Sequence, residues 1–482
     1  MKEAKKMKNS EKKPGLNRSE AADEACEKAC GESYVKAENG GKKGVGSKSL
    51  HGKLQAWLIF MCFFAYTVSY VSRYSYNANI VAIRESYGVD KAAAGLVGTF
   101  YFFAYGVGQV VNGLLCKRYN KKFCIAASLL VSAGVNTALF FSPAFSAYKW
   151  LWLVNGVALS VLWSSLVAIL SAHLDEKYLR RGVLLMSMSV AAGTCVSYGT
   201  GAVFMKFATY RAAFLFAALL AGAFAVSWIF GYDLLTGPLA RDRAEERAAR
   251  LQSAEKSGQV EPAARAEKQP EQTRKARVSG WALLTVFIVP GVLVAIVNLI
   301  KDGLNTWVPE ILKNSFGYGN SLSLTLTLVL PIVGMGGSAL ALYLHKKIDN
   351  YLVLSGVIYL AATIALAGIT VILRSGNTGT VAGAATVALF GCVSLFAHSE
   401  NSALTSVAPM LLREKYDSGK MAGILNGSAY VGSTISAYGL GAIADASGWN
   451  GVFALLLALS AFATAAAFIV PAVGKALKKD GK

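Results

Sequence analysis

The sequence contains few charged residues for its length. Only 16% of its 482 residues are Asp, Glu, Lys or Arg, whereas 54% are hydrophobic. A soluble domain needs about 25% charged residues to cover its surface. The composition therefore excludes a soluble domain and predicts an integral multi-pass protein in a lipid bilayer.

Motifs for catalysis and metal binding are also missing from the sequence. Four histidines and seven cysteines form no ligand set, and Cys26 and Cys30 lack a second pair to complete one. A Walker phosphate loop is absent, which argues against ATP hydrolysis by this polypeptide. We therefore expect no enzyme activity, no catalytic residues, no metal and no cofactor.

The net charge of +20 does not indicate nucleic acid. Basic residues are spread over several short segments, and no basic domain with interleaved aromatic residues is found in the sequence. We expect no nucleic-acid partner.

Apolar stretches long enough for a helix to cross a bilayer, about 20 residues each, recur along the chain. They predict an all-α membrane protein with twelve transmembrane helices. The predicted spans lie near residues 54–83, 92–115, 123–141, 148–172, 182–205, 211–231, 281–312, 321–344, 351–373, 380–411, 421–443 and 449–474.

Polar segments separate and flank two sets of six spans, at 54–232 and 279–474. Residues 1–53 are rich in Lys, Glu, Gly and Ser and predict a disordered tail. Residues 233–278 alternate charges of both signs and predict a linker between two bundles. Residues 475–482 form a second tail. The tail at the start of the chain does not resemble a cleavable signal peptide.

Lys and Arg are concentrated in alternate loops, on the side of the tails and the linker. The positive-inside rule places that side in the cytoplasm. We expect both termini to be cytoplasmic and the protein to lie in the plasma (inner) membrane. The richer set of basic residues is Lys117, Arg118, Lys121, Lys122, Lys177, Arg180, Arg181, Lys346, Lys347, Arg413, Lys415 and Lys420.

The two sets of spans share short motifs. Glu176-Lys177-Tyr178 precedes the fifth span, and Glu414-Lys415-Tyr416 precedes the eleventh, at the matching place in the second set. This repetition predicts two pseudo-symmetric six-helix bundles.

Away from the span ends, two cationic residues lie inside predicted spans, Arg73 in the first and Lys301 in the seventh. Each is followed four residues later by an asparagine, Asn77 or Asn305. A charge inside a membrane needs a partner, and a bound anion is the simplest one. We predict that the two cations face one central site. The alternatives are that each snorkels to the surface, or that Asp302 neutralises Lys301.

Two six-helix halves, a long linker and a basic loop after the second helix of each half resemble the major facilitator superfamily. The resemblance implies alternating access, in which two bundles rock around a central site. One position departs from the pattern: the superfamily usually has Asp in the loop after the second span, where this chain has Lys117.

Within that superfamily, the chain is similar to the organophosphate:phosphate antiporters, which include the glycerol-3-phosphate and hexose-phosphate transporters. Tyr66 and Tyr70 precede Arg73 at the family's spacing, and Lys301 stands six residues before Trp307. The resemblance implies that the two cations clamp phosphoryl oxygens, with Arg suited to two oxygens and Lys acting as a point charge.

The same resemblance adds further site positions and two departures. Tyr105 and Tyr430 match tyrosines of the second and eleventh helices, while Gln109 and Ala192 stand where the glycerol-phosphate branch has Lys and His. The expected substrate-binding set is Arg73, Lys301, Tyr66, Tyr70, Tyr105, Gln109, Asn77, Asn305 and Tyr430.

Glu400 and His398 in the tenth span have no counterpart in the family pattern. With Asp302, they are candidates for coupling or gating. Glu400 either binds a coupling proton or pairs with a basic residue such as Lys301 or Arg73, and the sequence leaves both alternatives open. A single histidine is more often a hydrogen-bonded packing residue.

The resemblance implies a monomeric secondary transporter that exchanges an organic anion, a sugar phosphate or another phosphate ester, for inorganic phosphate. Two alternatives remain. One is a proton-coupled symporter of another small organic solute, and the other is a transporter-like receptor that binds a sugar phosphate.

Overall fold

The structure is a computed structural model of an all-helical protein. It describes residues 46–115, 119–141, 144–256, 283–412, 416 and 418–480. Within these residues no strand is found, and eleven helices are long and apolar enough to cross a membrane. The candidate membrane spans of these helices are α1 His51–Tyr87, α2 Lys91–Asn112, α3 Lys121–Phe141, α4 Phe145–His173, α5 Glu176–Phe207, α6 Tyr210–Glu245, α7 Leu284–Phe316, α8 Asn320–His345, α9 Tyr351–Arg374, α10 Thr380–Leu411 and a last one, Met421–Val473.

The last helix is too long for one crossing. Its 53 residues would extend about 80 Å at 1.5 Å per residue, against a hydrocarbon core of about 30 Å. Gly448 interrupts the helical backbone with φ 68° and ψ −178°, a conformation that glycine adopts without steric strain. The break gives α11 (421–447) and α12 (449–473), and with them the twelve predicted crossings.

The helices pack as two sets with matched contacts between them. In the first set α2 packs on α4 and α3 on α6, while in the second α7 packs on α11 and α9 on α10. Between the sets, α2 packs on α11 and α5 packs on α8. Each helix has a counterpart six places away in the other set, so α2 corresponds to α8 and α11 to α5. The α2–α11 contact therefore corresponds to the α8–α5 contact, as the predicted pseudo-symmetry requires.

Close approach between the sets depends on a small residue in α2. Gly95 lies directly against the backbone of α11, and a Cβ at this position would overlap the carbonyl oxygen of Ala437. Glycine therefore allows the two helices to meet backbone to backbone beside the site.

Three helices extend beyond the predicted spans. The first begins at Gly46, inside the predicted tail over 1–53. The sixth continues through Pro238 to Lys256, so the first part of the predicted linker is helical. The last runs to Asp480, in the second predicted tail. Hydrogen bonding along a helix continues past the apolar residues, which is why hydropathy alone underestimates these lengths.

Several sequence predictions fall outside the described residues. They are the tail over 1–45, the linker over 257–278, the paired cysteines Cys26 and Cys30, and the basic loop positions Lys117, Arg118, Arg413 and Lys415.

Candidate functional site

Arg73 lies inside α1 with only 7% of its surface exposed. Its Cζ atom is between 5.1 and 5.6 Å from the centroids of five aromatic rings. Ring faces attract a cation without using its hydrogen-bond donors. The rings belong to Tyr70, Tyr74, Tyr101, Phe102 and Tyr105.

Arg73 also has no carboxylate partner among the residues that the structure describes. Its Nη1 donates a hydrogen bond of 3.3 Å to the hydroxyl of Tyr70, and no ion pair within 4.0 Å includes it. A guanidinium has five N–H donors, so most of this group's hydrogen-bonding capacity is available to an anion.

Lys301 lies inside α7 with 17% of its side chain exposed. Its Nζ donates to Asn298 Oδ1 at 2.6 Å and lies 3.8 Å from Asp302 Oδ1. Asn298 in turn donates from Nδ2 to Asn401 Oδ1 of α10 at 2.8 Å. Lys301 therefore differs from Arg73, because an amide chain orients it and an acid lies beside it.

The two cations and Asp302 lie on helices that meet where the halves contact each other. Asn77, about one helical turn after Arg73, donates a hydrogen bond to Thr306, about one turn after Lys301. Asp302 accepts a hydrogen bond from Ser433 of α11. Asp302 is 5% exposed. The acid that the sequence offered as a competitor thus lies beside Lys301, and the shared anion site of the two cations stays a prediction.

The predicted tyrosines gather on the Arg73 side of this site. The ring centroids of Tyr66 and Tyr70 are 5.1 Å apart, and so are those of Tyr105 and Tyr430. Tyr430 belongs to α11, so the second pair crosses between the halves. Gln109 Nε2 donates to the Tyr105 hydroxyl at 3.1 Å, which places this predicted residue beside the cluster.

Asn77 and Asn305 connect the halves. Asn77 Nδ2 donates to Thr306 Oγ1 at 2.9 Å, and the Tyr198 hydroxyl donates to the main-chain carbonyl of Asn305. That carbonyl is available because Pro309, four residues later, has no N–H to donate within the helix. Both asparagines therefore lie at the contact of α7 with the first half, where they join the two halves.

Glu400 and His398 have partners within the second half. Glu400 is 1% exposed and accepts a hydrogen bond from Ser355 Oγ of α9. His398 Nδ1 lies 2.9 Å from the carbonyl oxygen of Ser394, one turn earlier. Among the described residues Glu400 forms no ion pair with either site cation, so the pairing alternative is not found here. A role in proton coupling stays a prediction.

Among the described residues, three ion pairs join the halves at one end of the site, where α1 and α7 finish. Hydrogen bonds near the other end, such as those from Gln55 to Asp175 and from Tyr351 to Thr285, stay within one half. The ion pairs therefore hold the halves together at the end farther from the linker. The three pairs are Arg84–Glu310 at 3.0 Å, Lys91–Asp445 at 3.1 Å and Lys313–Glu85.

Sequence reasoning missed three polar residues of the site. Asn298 precedes Lys301 by three positions, a spacing that places both on one helix face, so this residue had a usable signal. Asn401 and Ser433 lie on α10 and α11, and only packing brings them to α7.

Comparisons with known proteins agree with this architecture. The chain matches the family model for the Major Facilitator Superfamily over residues 62–416. Human sugar phosphate exchanger 3 is 23% identical over 448 residues, which cover 82% of this chain and 88% of that protein. A Chlamydia pneumoniae protein described as a probable hexose phosphate transport protein is 22% identical over 420 residues, covering 85% of this chain and 90% of that protein.

A solved structure supports the same fold. It is that of a bacterial homologue of the human lysosomal transporter Spinster in an inward-facing, occupied conformation. It aligns with a TM-score of 0.67 at 12% identity, covering 86% of this chain and 96% of that one.

Proposed function

Because the chain belongs to the major facilitator superfamily, we propose that it is a secondary transporter that exchanges phosphate esters, sugar phosphates in particular, for inorganic phosphate. The relatives whose names mention sugar phosphate or hexose phosphate support the substrate class. The chain itself supplies a chemical reason for it in Arg73.

The observation that carries the proposal is a buried guanidinium with aromatic neighbours and no carboxylate partner among the described residues. Removing a charge from water costs several kcal/mol unless it is paired and hydrogen-bonded. A phosphoryl group offsets that cost, because its oxygens accept two parallel N–H bonds from one arginine. Arg73 lies on α1, close to the contact of the two bundles, and a transported ligand of this fold binds between the bundles.

A ligand held by Arg73 of α1 and Lys301 of α7 contacts both halves at once. Its negative charge offsets the repulsion between the two cations and draws the bundles together, while an empty site leaves that repulsion in place. A ligand shifts a conformational equilibrium only by its different affinity for the two states. Reorientation is therefore favoured with an anion bound, which is the requirement for exchange.

The distribution of basic loops sets the orientation in this proposal. Both termini and the linker lie in the cytoplasm, so the end closed by Arg84 and Glu310 faces away from it. We propose that the site opens toward the cytoplasm when this end is closed. We place the protein in the plasma (inner) membrane as a monomer.

Exchange in reconstituted vesicles tests the proposal. Vesicles loaded with inorganic phosphate should take up radiolabelled glucose 6-phosphate, and vesicles without internal phosphate should take up little. Arg73→Ala and Lys301→Ala should abolish exchange, while Lys206→Ala, which removes an exposed lysine at the end of α5, should retain it. Undiminished exchange in both site variants would contradict the anion clamp.

The same vesicles separate the alternatives. Uptake that needs a proton gradient and is lost in Glu400→Gln would indicate a proton-coupled symporter instead. Specific binding of a sugar phosphate without any counterflow would indicate a receptor.

A further inference from the structure

The two halves of the site differ at one position. The residue after the cation is Tyr74 in the first half and Asp302 in the second. Arg73 consequently has aromatic neighbours, and the ring of Tyr74 is one of them at 5.6 Å. Lys301 instead has a carboxylate oxygen 3.8 Å from its Nζ. The pseudo-symmetric site is therefore asymmetric in charge.

Asp302 is held in place by a second helix. Its Oδ2 accepts a hydrogen bond of 2.5 Å from Ser433 Oγ of α11, and its side chain is 6% exposed. At 3.8 Å the Lys301 contact is longer than a charge-assisted hydrogen bond, which spans about 2.7–2.9 Å. The Lys301 ammonium has three donors and gives one to Asn298, so it can bind a ligand while Asp302 stays beside it.

Ionisable groups of both halves interact electrostatically with the Asp302 carboxyl. Among the described residues, Lys301 is the one basic side chain close enough to Asp302 for an ion pair. The others are four tyrosines and one histidine, whose ordinary forms at neutral pH carry no charge. They are Tyr70, Tyr74, Tyr198, Tyr430 and His398.

Formal charges then give the site a net charge of +1, from two cations and one carboxylate. A singly charged phosphate ester makes the occupied site neutral, whereas a doubly charged ester leaves it with one excess negative charge. An excess charge among side chains as buried as Arg73 and Asp302 is unfavourable because the local dielectric constant is low. The number of charges on the ligand therefore affects its affinity.

We propose that Asp302 is a specificity residue that makes the site select singly charged anions over doubly charged ones. This inference rests on the proposed function, since it concerns how the same site recognises a phosphate ester. Replacing the carboxylate by a neutral amide should raise the net charge to +2 and reverse the preference.

Two ligands of the same size but different charge test the proposal at one pH. Glucose 6-sulfate is a monoanion at pH 7.5, and glucose 6-phosphate is mainly a dianion there, because the second pKa of a phosphate ester is about 6. Dissociation constants for both are measured by calorimetry on the purified full chain. Wild type should bind the sulfate ester at least as tightly as the phosphate ester. Asp302→Asn should bind the phosphate ester about tenfold more tightly than the sulfate ester, a difference of about 1.4 kcal/mol.

Asp445→Asn is the matched control, since it removes a carboxylate outside the site, at the closed end, and should leave the affinity ratio unchanged. An unchanged ratio in Asp302→Asn would overturn the inference while leaving the proposed function intact. A tenfold preference of wild type for the phosphate ester would also overturn the inference. This measurement needs no variant, so the inference can be tested even if Asp302→Asn does not fold. If wild type binds neither ester, the proposed function itself fails.

Discussion

Arg84 Nη2 lies 3.0 Å from Glu310 Oε1, so an ion pair joins the last turns of α1 to the last turns of α7. Glu310 is fully buried, and 23% of the Arg84 side chain is exposed. Of the three pairs between the halves that the described residues form, this one has the most buried acid. Removing that acid should therefore disturb this end of the site most, because it leaves Arg84 without a charged partner.

Glu310→Gln should open that end. Losing one partner of a fully buried pair destabilises by about 3–5 kcal/mol, and the partial exposure of Arg84 reduces the effect here. Hydrogen–deuterium exchange should become faster over residues 84–90 and 310–316. Asp445→Asn breaks a pair whose acid is more exposed, 27% against 0% for Glu310. Such a pair is worth at most about 1 kcal/mol, and its loss should change exchange little. Equal effects in the two variants would show that burial does not set the strength of the closure.

Asn298→Ala should impair transport through Lys301. The lost hydrogen bond to a charged group is worth about 1.5–3 kcal/mol, so we expect KM for phosphate to rise by about tenfold or more. Asn136→Ala is the control, since Asn136 is a buried asparagine that bonds to Ser75 within the first half. It should lower the melting temperature without changing KM. A KM unchanged in Asn298→Ala would mean that Lys301 does not need this partner.

Arg73→Lys should not restore function, although it keeps the charge. Lysine cannot donate two parallel bonds to a phosphoryl group or stack on the five surrounding rings. We expect exchange to fall by at least about tenfold, in line with one lost charge-assisted bond. Lys301→Arg, which keeps a cation at the point-charge position, is the comparison and should retain more activity. If Arg73→Lys exchanges at the wild-type rate, planar recognition is not required.

The bond from Tyr198 to the Asn305 carbonyl should depend on Pro309. Tyr198→Phe should destabilise the wild type by about 1 kcal/mol, the usual value of one neutral hydrogen bond. In Pro309→Ala the new N–H of residue 309 can donate to the Asn305 carbonyl. Tyr198→Phe should therefore reduce the stability of that variant by less. A double-mutant cycle on melting temperatures measures the difference. Additive effects would mean that the proline does not create the free acceptor.

Much of this fold could be predicted from the sequence, because the bilayer imposes a simple requirement. Every backbone polar group in a span must be bonded within a helix, so apolar stretches of the right length locate helices well. Helix ends are less predictable. The sixth helix continues to Lys256 because charged residues such as those after Asp233 support a helix in water as readily as apolar ones do in lipid.

The site could be predicted in part. Arg73 and Lys301 were identifiable because a cation in a span is rare and because each occurs at the matching place in its half. The partners Asn401 and Ser433 were not identifiable, since buried polar residues on other helices carry no periodic signal. The contrast between Arg73 without an acid and Lys301 beside Asp302 also needed the structure, because neighbours in sequence point in different directions on a helix.

The central claim is that the guanidinium of Arg73 binds the anion, and direct binding tests it. Calorimetric titration of glucose 6-phosphate into purified wild type and Arg73→Ala, with both proteins shown to be folded by thermal melting, measures the affinity lost. Two charge-assisted bonds at about 1.5–3 kcal/mol each predict a loss of at least about 100-fold. Equal dissociation constants for the two proteins would contradict the account.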